Sequence, residues 1–163
     1  GGDIKGFQSV FQGDEQSLDD VAAANAATGE LFHQINTLPQ VVVVLVQGAA
    51  IAGGLGLTCC ADIVVATADA QFSMTETQIG IVPAQIAPFV IARIGLPAIR
   101  TGVRSCSPAA NAETKALIMA LPSLSAEDAR KAGGYAFARC MRSDEGREGV
   151  ASFIEKRKPN WAE

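Results

Sequence analysis

Between residues 18 and 38, Val21, Ala24, Ala27, Leu31, Ile35 and Leu38 recur three or four apart. That period predicts a helix with one apolar stripe, and Asp19 and Asp20 suit the positive end of its dipole. Pro39 ends it. The single histidine, His33, lies off the stripe and reads as a solvated helix residue. Residues 41–46 are then almost purely β-branched. A short continuous run without alternation predicts a strand buried on both faces. Residues 49–56, rich in Ala and Gly, read as a tight turn leading into a helical stretch at 57–61. Further strands are predicted at 63–66 and 70–74, followed by a polar step, Thr75-Glu76-Thr77, and a loop over 79–83.

The second half is patterned differently. An apolar helix is predicted at 86–94, and residues 98–107 show no clear period. Helices follow at 111–121, 126–141 and 146–158, with Ser125 as an N-cap signal and Pro159 as a stop. Residues 1–13 read as a Gly-punctuated loop, and no internal repeat is evident. The alternation of strands and helices argues an α/β architecture.

Composition narrows the function classes. The chain has 163 residues, 48% of them apolar, which suffices for one folded domain. Thirteen Lys and Arg against 17 Asp and Glu give a net charge of −4, so nothing favours nucleic acid as a partner. Gly or charge interrupts every apolar stretch before it reaches the length of a membrane span. One histidine excludes a histidine-rich metal site. Cys59, Cys60, Cys106 and Cys140 match no metal or redox spacing and read as free thiols of a reducing cytoplasm.

Two places carry candidate chemistry. Gly53, Gly54 and Gly56 follow a strand, but position 59 is Cys, so the G-x-G-x-x-G fingerprint fails, and no phosphate-loop Lys-Ser/Thr is present. A backbone N–H near Gly53, at the mouth of a short helix, suits developing negative charge. Close strand–helix packing, which also selects glycine, stands beside that reading. Glu76 lies among apolar Phe72, Met74 and Ile79. A carboxyl facing an apolar cavity becomes a usable acid or base, whereas a solvated loop Glu does not. No G-x-S-x-G elbow and no obvious second acid accompany it.

These residues carry a family resemblance. Gly1-Gly2-Asp3-Ile4-Lys5, then Val46-Gln47-Gly48-Ala49-Ala50-Ile51-Ala52-Gly53-Gly54, then Cys60-Ala61-Asp62-Ile63, Ala70-Gln71-Phe72 and Glu76-Thr77-Gln78-Ile79-Gly80-Ile81-Val82-Pro83 stand in order. They resemble the crotonase (enoyl-CoA hydratase/isomerase) superfamily, as does Phe153 to Pro159 at the C-terminal end. The resemblance implies a spiral of ββα turns over residues 1–100 and a helical, trimer-forming region over 101–163. It also implies an N-terminal strand-rich segment and helices between Arg100 and Cys106, about 100 residues in all, that this chain lacks.

By position, the resemblance implies that the N–H groups of Gly2 and Gly53 hold the thioester oxygen of an acyl-CoA, with Glu76 as acid/base. It places Asp3, Ile4, Lys5 and Gly54 along bound CoA, and Phe153 and Lys156 against it from the same or a neighbouring subunit. CoA is then part of the substrate, no separate cofactor or metal is implied, and a homotrimer or dimer of trimers is expected. One departure matters: the first Glu of two-glutamate hydratases falls at Gly56. A single Glu suits a hydratase or an enoyl-CoA isomerase, and a silent acyl-CoA-binding subunit is a third possibility.

Within the family, Gly56, Pro83-Ala84-Gln85-Ile86-Ala87-Pro88-Phe89, Asn111 to Lys115 and Lys156 to Trp161 resemble the isohexenylglutaconyl-CoA hydratases of bacterial acyclic terpene catabolism. That implies an apolar tail pocket involving Ile86, Phe89 and Val90. Gln85 is then expected to bond the water or a distal carboxylate, or else to face solvent at a helix start.

Overall fold

The computed structural model describes residues 17–99 and 106–162. Gly2, Asp3, Ile4 and Lys5 therefore lie outside the described residues, as does the expected N-terminal loop.

Helix α1 (Leu18–Asn36) starts on a capping box. The Ser17 hydroxyl accepts from Asp20 N–H at 3.1 Å, and the Asp20 carboxylate accepts from Ser17 N–H at 3.1 Å. Its buried residues are Val21, Ala22, Gly29 and Phe32, while Leu31 and Leu38 of the expected stripe stand about half exposed. The stripe is rotated because α5 (Ala126–Arg142) approaches over small residues. A Cβ added at Gly134 would sit 2.4 Å from the Ala22 carbonyl oxygen. An Arg130–Glu30 ion pair at 3.0 Å joins the same two helices.

Beyond α1 the chain winds through two stacked turns. The first is β1 (Val43–Val46), β2 (Ala49–Ile51) and α2 (Gly53–Cys60). The second is β3 (Ile63–Ala66), β4 (Gln71–Ser73) and a 3-10 turn, Glu76–Ile79. β1 pairs in parallel with β3, Val43 opposite Ile63, and β2 in parallel with β4, Ala49 opposite Gln71. The offsets are 63 − 43 = 20 and 71 − 49 = 22, so the second corner holds two more residues than the first. The tight first corner turns on Gly48, whose φ of 79° suits glycine. The second is closed by an Ala70 N–H to Thr67 carbonyl bond of 3.0 Å. A structural repeat is thus present where the sequence shows none, because the two turns share backbone path and not side chains.

Two sequence expectations change here. The strand at 43–46 is not buried on both faces: Val43 and Leu45 are exposed, level with exposed Ile63 and Val65 on β3. Among the described residues only two strands form this layer, and no described element covers its outer face. The expected turn over 49–56 contains strand β2 and the start of α2, since pairing with β4 makes Ala49–Ile51 a strand without β-branched help at two of its three positions.

After a buried connector, α3 (Ala87–Ile99) kinks at Gly95, whose φ is 74°. α4 (Pro108–Ala120) is capped by Ser107, runs into a 3-10 turn at Leu121–Ser123, and is followed by α5, with Ser125 capping as expected. α6 (Asp144–Ile154) begins two residues earlier than the sequence pattern suggests, because Ser143 accepts from Gly146 N–H at 3.0 Å. It ends earlier too. Lys156 takes a φ of 55°, and Arg157 folds back to hold Glu148 through two bonds of 2.6 and 2.8 Å.

Two buried clusters result. One gathers Val21, Ile81, Val82, Leu117, Phe137 and Met141; the other Phe32, Leu55, Cys59, Cys60, Ile86 and Val90. The segment 81–86, buried throughout, links them.

Candidate active site

A cavity of about 630 Å³ opens between the two clusters. Its walls come from α1, the end of β2, the start of α2, the 3-10 turn, the 81–86 connector, α5 and Phe153 of α6. It draws on residues from both halves of the chain, and its lining is mostly apolar.

Among the described residues, Glu76 is the only ionisable one on that wall. It opens the 3-10 turn, and its Oε2 is enclosed without a hydrogen-bond partner. Burial pushes its carboxyl up to about 7, against the opposing pull of the Glu76 and Thr75 backbone N–H groups. An apolar surround disfavours the charged form, and such a group takes and gives a proton near neutrality.

The turn that carries Glu76 is held from two sides. Gly80, with a φ of 75°, lies so close to α6 that a Cβ there would meet the Glu145 carbonyl oxygen at 2.4 Å. A Cβ on Gly149 would meet the Ile79 backbone at 2.3 Å. On the other side, Ser107 N–H donates to the Thr77 carbonyl at 2.8 Å, and the Thr77 hydroxyl donates to Cys106 Sγ at 3.0 Å. The Ser107 hydroxyl in turn donates to the Glu145 carboxylate, which also accepts from Ala109 N–H at 2.9 Å.

Across the cavity stands the start of α2. Ala52 precedes it at φ 52°, ψ −122°, a backbone conformation costly for a residue with a Cβ. Its N–H bonds the Ser73 carbonyl at 2.9 Å, and its carbonyl accepts from Gly56 N–H at 3.1 Å. The bend places Ala52 and Gly53 on the cavity wall, where the first-turn N–H groups of α2 have no partner within the helix. Gly54 follows in that turn with open space around it but does not line the cavity. Gly56 is fixed by packing: a Cβ there would sit 2.3 Å from Ile86 Cγ2 and 3.1 Å from Phe32 Cε1. A glutamate cannot occupy this position without displacing that contact, and among the described residues Glu76 is the sole carboxylate of the cavity wall.

The fold therefore brings Glu76, Gly53, Gln85 and Phe153 together. Gln85 does not face solvent. It is buried in a slot between α1 and α5, where a Cβ on Gly29 would collide with its Oε1. Its Nε2 donates to Asn25 Oδ1 at 2.9 Å and to the Arg130 carbonyl at 3.1 Å. Both amide hydrogens are engaged, so only Oε1 is left to a ligand. Phe89 turns away from the cavity and packs on Phe32, with ring centroids 6.1 Å apart. Its position two residues into α3 directs it into the second cluster. Lys156 is exposed beyond the end of α6 and does not line the cavity.

Asn25, Thr28, Phe137 and Met141 line the cavity and were not singled out by the sequence. Val21, Asn25, Thr28 and Phe32 lie four, three and four apart, a helical face hidden because two of its four members are polar. Among the described residues no cluster of three or more His, Cys, Asp or Glu could hold a metal. No helix among them is long and apolar enough to cross a membrane. Cys59, Cys60 and Cys140 are buried free thiols, with Cys60 and Cys140 each pushed up to about 11 by burial.

Known proteins are similar to this chain in sequence and fold. An enoyl-CoA hydratase/isomerase from Marinobacter aquaeolei is 33% identical, with a TM-score of 0.55, over 100% of this chain and 77% of that one. Pseudomonas aeruginosa AtuE is 35% identical, with a TM-score of 0.54, over the same shares. The Bacillus subtilis bacillaene synthase dehydratase PksH is 35% identical over 89 residues, 55% of this chain and 34% of that protein. A curated Thermus thermophilus relative aligns over 80% of this chain, which spans 66% of that protein's length. Residues 1–116 match the sequence profile described as enoyl-CoA hydratase/isomerase. The stacked parallel corners, the glycine-led helix and the enclosed Glu76 carboxyl thus sit in a chain that belongs to the enoyl-CoA hydratase/isomerase family.

Proposed function

We propose that this chain hydrates the double bond of an enoyl-CoA thioester, with Glu76 as the only acid/base. The carrying observation is the enclosed Glu76 carboxyl, pushed up to about 7, on an apolar wall that also holds the start of α2. The Glu76 carboxylate takes a proton from water as the hydroxyl oxygen bonds to the β-carbon. The electron pair of the double bond moves toward the thioester, giving an enolate. Gly53 N–H donates to the enolate oxygen, where preorganised donors act most strongly as charge develops. The second donor expected by family position is Gly2 N–H. Glu76 then returns the proton to the α-carbon, and the thioester carbonyl reforms. CoA enters with the substrate and not as a resident cofactor.

The apolar walls support a branched acyl group, with isohexenylglutaconyl-CoA as the specific candidate from the resemblance in residues 83–89. The bare sheet face of Val43, Leu45, Ile63 and Val65 supports further association, for which a trimer or dimer of trimers is proposed. The free thiols suit a reducing compartment, and the cytoplasm is the proposed location.

A second reading rests on Gly56. With no room for another carboxylate there, one Glu moving a proton between two carbons makes an enoyl-CoA isomerase. Mass spectrometry of the product, from full-length enzyme and isohexenylglutaconyl-CoA in ¹⁸O-water, separates the readings. Gain of one labelled water supports hydration. A shifted double bond at unchanged mass supports the isomerase. Acyl-CoA binding with no product would sink both and leave a silent binding subunit.

A further inference from the structure

The Gln85 amide settles the orientation of its neighbour. Its Nε2 lies 3.1 Å from the Arg130 carbonyl oxygen, which only a donor can satisfy. The same Nε2 meets Asn25 at 2.9 Å, so the Asn25 atom facing it must be the acceptor, Oδ1. The donor group of Asn25, Nδ2, is thereby turned away from Gln85. It has no partner among the described residues, and Asn25 lines the cavity. Thr28, one turn further along α1, adds a hydroxyl to the same wall. Phe32 continues the same face of α1, and Phe137 and Met141 of α5 complete this part of the lining with side chains that carry no oxygen acceptor.

We propose that Asn25 is a specificity-determining residue whose Nδ2 donates to an oxygen acceptor on the acyl group of the substrate. This rests on the acyl-CoA reading above and names the class of acyl chain it takes. An amide donor unpartnered in an apolar cavity loses hydrogen bonding to water unless the ligand restores it. A purely alkyl chain leaves it unpaired; a chain carrying a carbonyl, hydroxyl or carboxylate oxygen pairs it. All three acceptors share this chemistry. Among the described residues the wall carries no cation, so the amide donor alone supplies the pairing, to a neutral oxygen or to a carboxylate.

Saturated thioesters test this without turnover. Binding of hexanoyl-CoA, 5-oxohexanoyl-CoA and glutaryl-CoA to the full-length protein is measured by titration calorimetry. The keto ester is expected to bind about tenfold more tightly than hexanoyl-CoA. The glutaryl ester reports whether a carboxylate is also accepted. Asn25→Asp keeps an acceptor for Gln85 Nε2 but removes the donor. It is expected to abolish the preference for the oxygen-bearing esters while leaving hexanoyl-CoA affinity within about twofold. Asn25→Leu should abolish the same preference and, by stripping Gln85 Nε2 of its acceptor, also lower stability. Equal binding of all three esters by the unmodified protein would overturn the assignment. So would an equal loss for all three in Asn25→Asp, which marks a structural role. Binding of none of them would instead overturn the acyl-CoA reading itself.

Discussion

The helical part of the molecule and the stacked corners use apolar surface in opposite ways. Around the helices backbones touch: Gly134 of α5 rests on Ala22 of α1, and α6 presses Gly149 on Ile79 and its Glu145 carbonyl on Gly80, at the end of the 3-10 turn. In the corners, β1 and β3 pair along their edges yet leave Val43, Leu45, Ile63 and Val65 bare. Both regions use small residues where backbones come close, Gly133 and Gly134 in α5 and Ala49 and Ala50 in β2. What separates them is whether a second element lies within reach. The cavity forms along the seam, with one wall clamped by glycine contacts and the other made by the start of α2.

The largest way to sharpen this contrast is at Glu76. Glu76→Gln is expected to lower kcat on an enoyl-CoA by about a thousandfold while leaving binding of a saturated acyl-CoA nearly unchanged. Steady-state kinetics beside calorimetry checks both halves of that statement.

The same substitution has a pH signature. The native carboxyl keeps its proton up to about 7, while the unfolded one releases it near 4.5. Between these values the unfolded state binds fewer protons, so stability falls as pH rises. Glu76→Gln removes that loss. It should match the parent protein below pH 4.5 and exceed it by about 3 kcal/mol above pH 7. Urea unfolding at pH 4.5 and 8 reads the gap; a gap that shrinks toward pH 8 would refute it.

The clamped side is broken next. Gly134→Ala drives a Cβ to within 2.4 Å of the Ala22 carbonyl oxygen and should cost about 2 kcal/mol, net of the gain in helix propensity. Gly54→Ala, with nothing within 4 Å, is expected to be neutral or slightly stabilising, and a matched fall in urea midpoint for both would remove the distinction.

The smallest effect belongs to the bare strands. Leu45 is 78% exposed, so Leu45→Thr should change the stability of this chain by less than about 0.5 kcal/mol. A larger loss in concentration-dependent unfolding would show that another chain covers the face.

Local signals in the sequence go far here. The β-branched runs placed β1 and β3, and Ser125 placed the start of α5. The change from apolar strand to Thr-Glu-Thr marked Glu76, and glycine after a strand marked Gly53. Each signal works within a few residues, through steric preference, capping or hydropathy. β2 escaped, since Ala49 and Ala50 have no strand preference of their own and become extended only against β4. The end of α6 escaped as well, since Arg157 finds Glu148 only after the chain turns back at Lys156.

The sequence alone thus determined β1, β3, the start of α5, the place of Glu76 after its strand and the glycine-led helix. Tertiary structure decided which apolar faces are covered, that Gly56 excludes a second carboxylate, and that Gln85 spends its donors on Asn25 and Arg130. Residues 25, 85 and 130 are far apart in the chain, and their partnership depends on α1 and α5 closing to backbone contact at glycine. No window of sequence contains that distance.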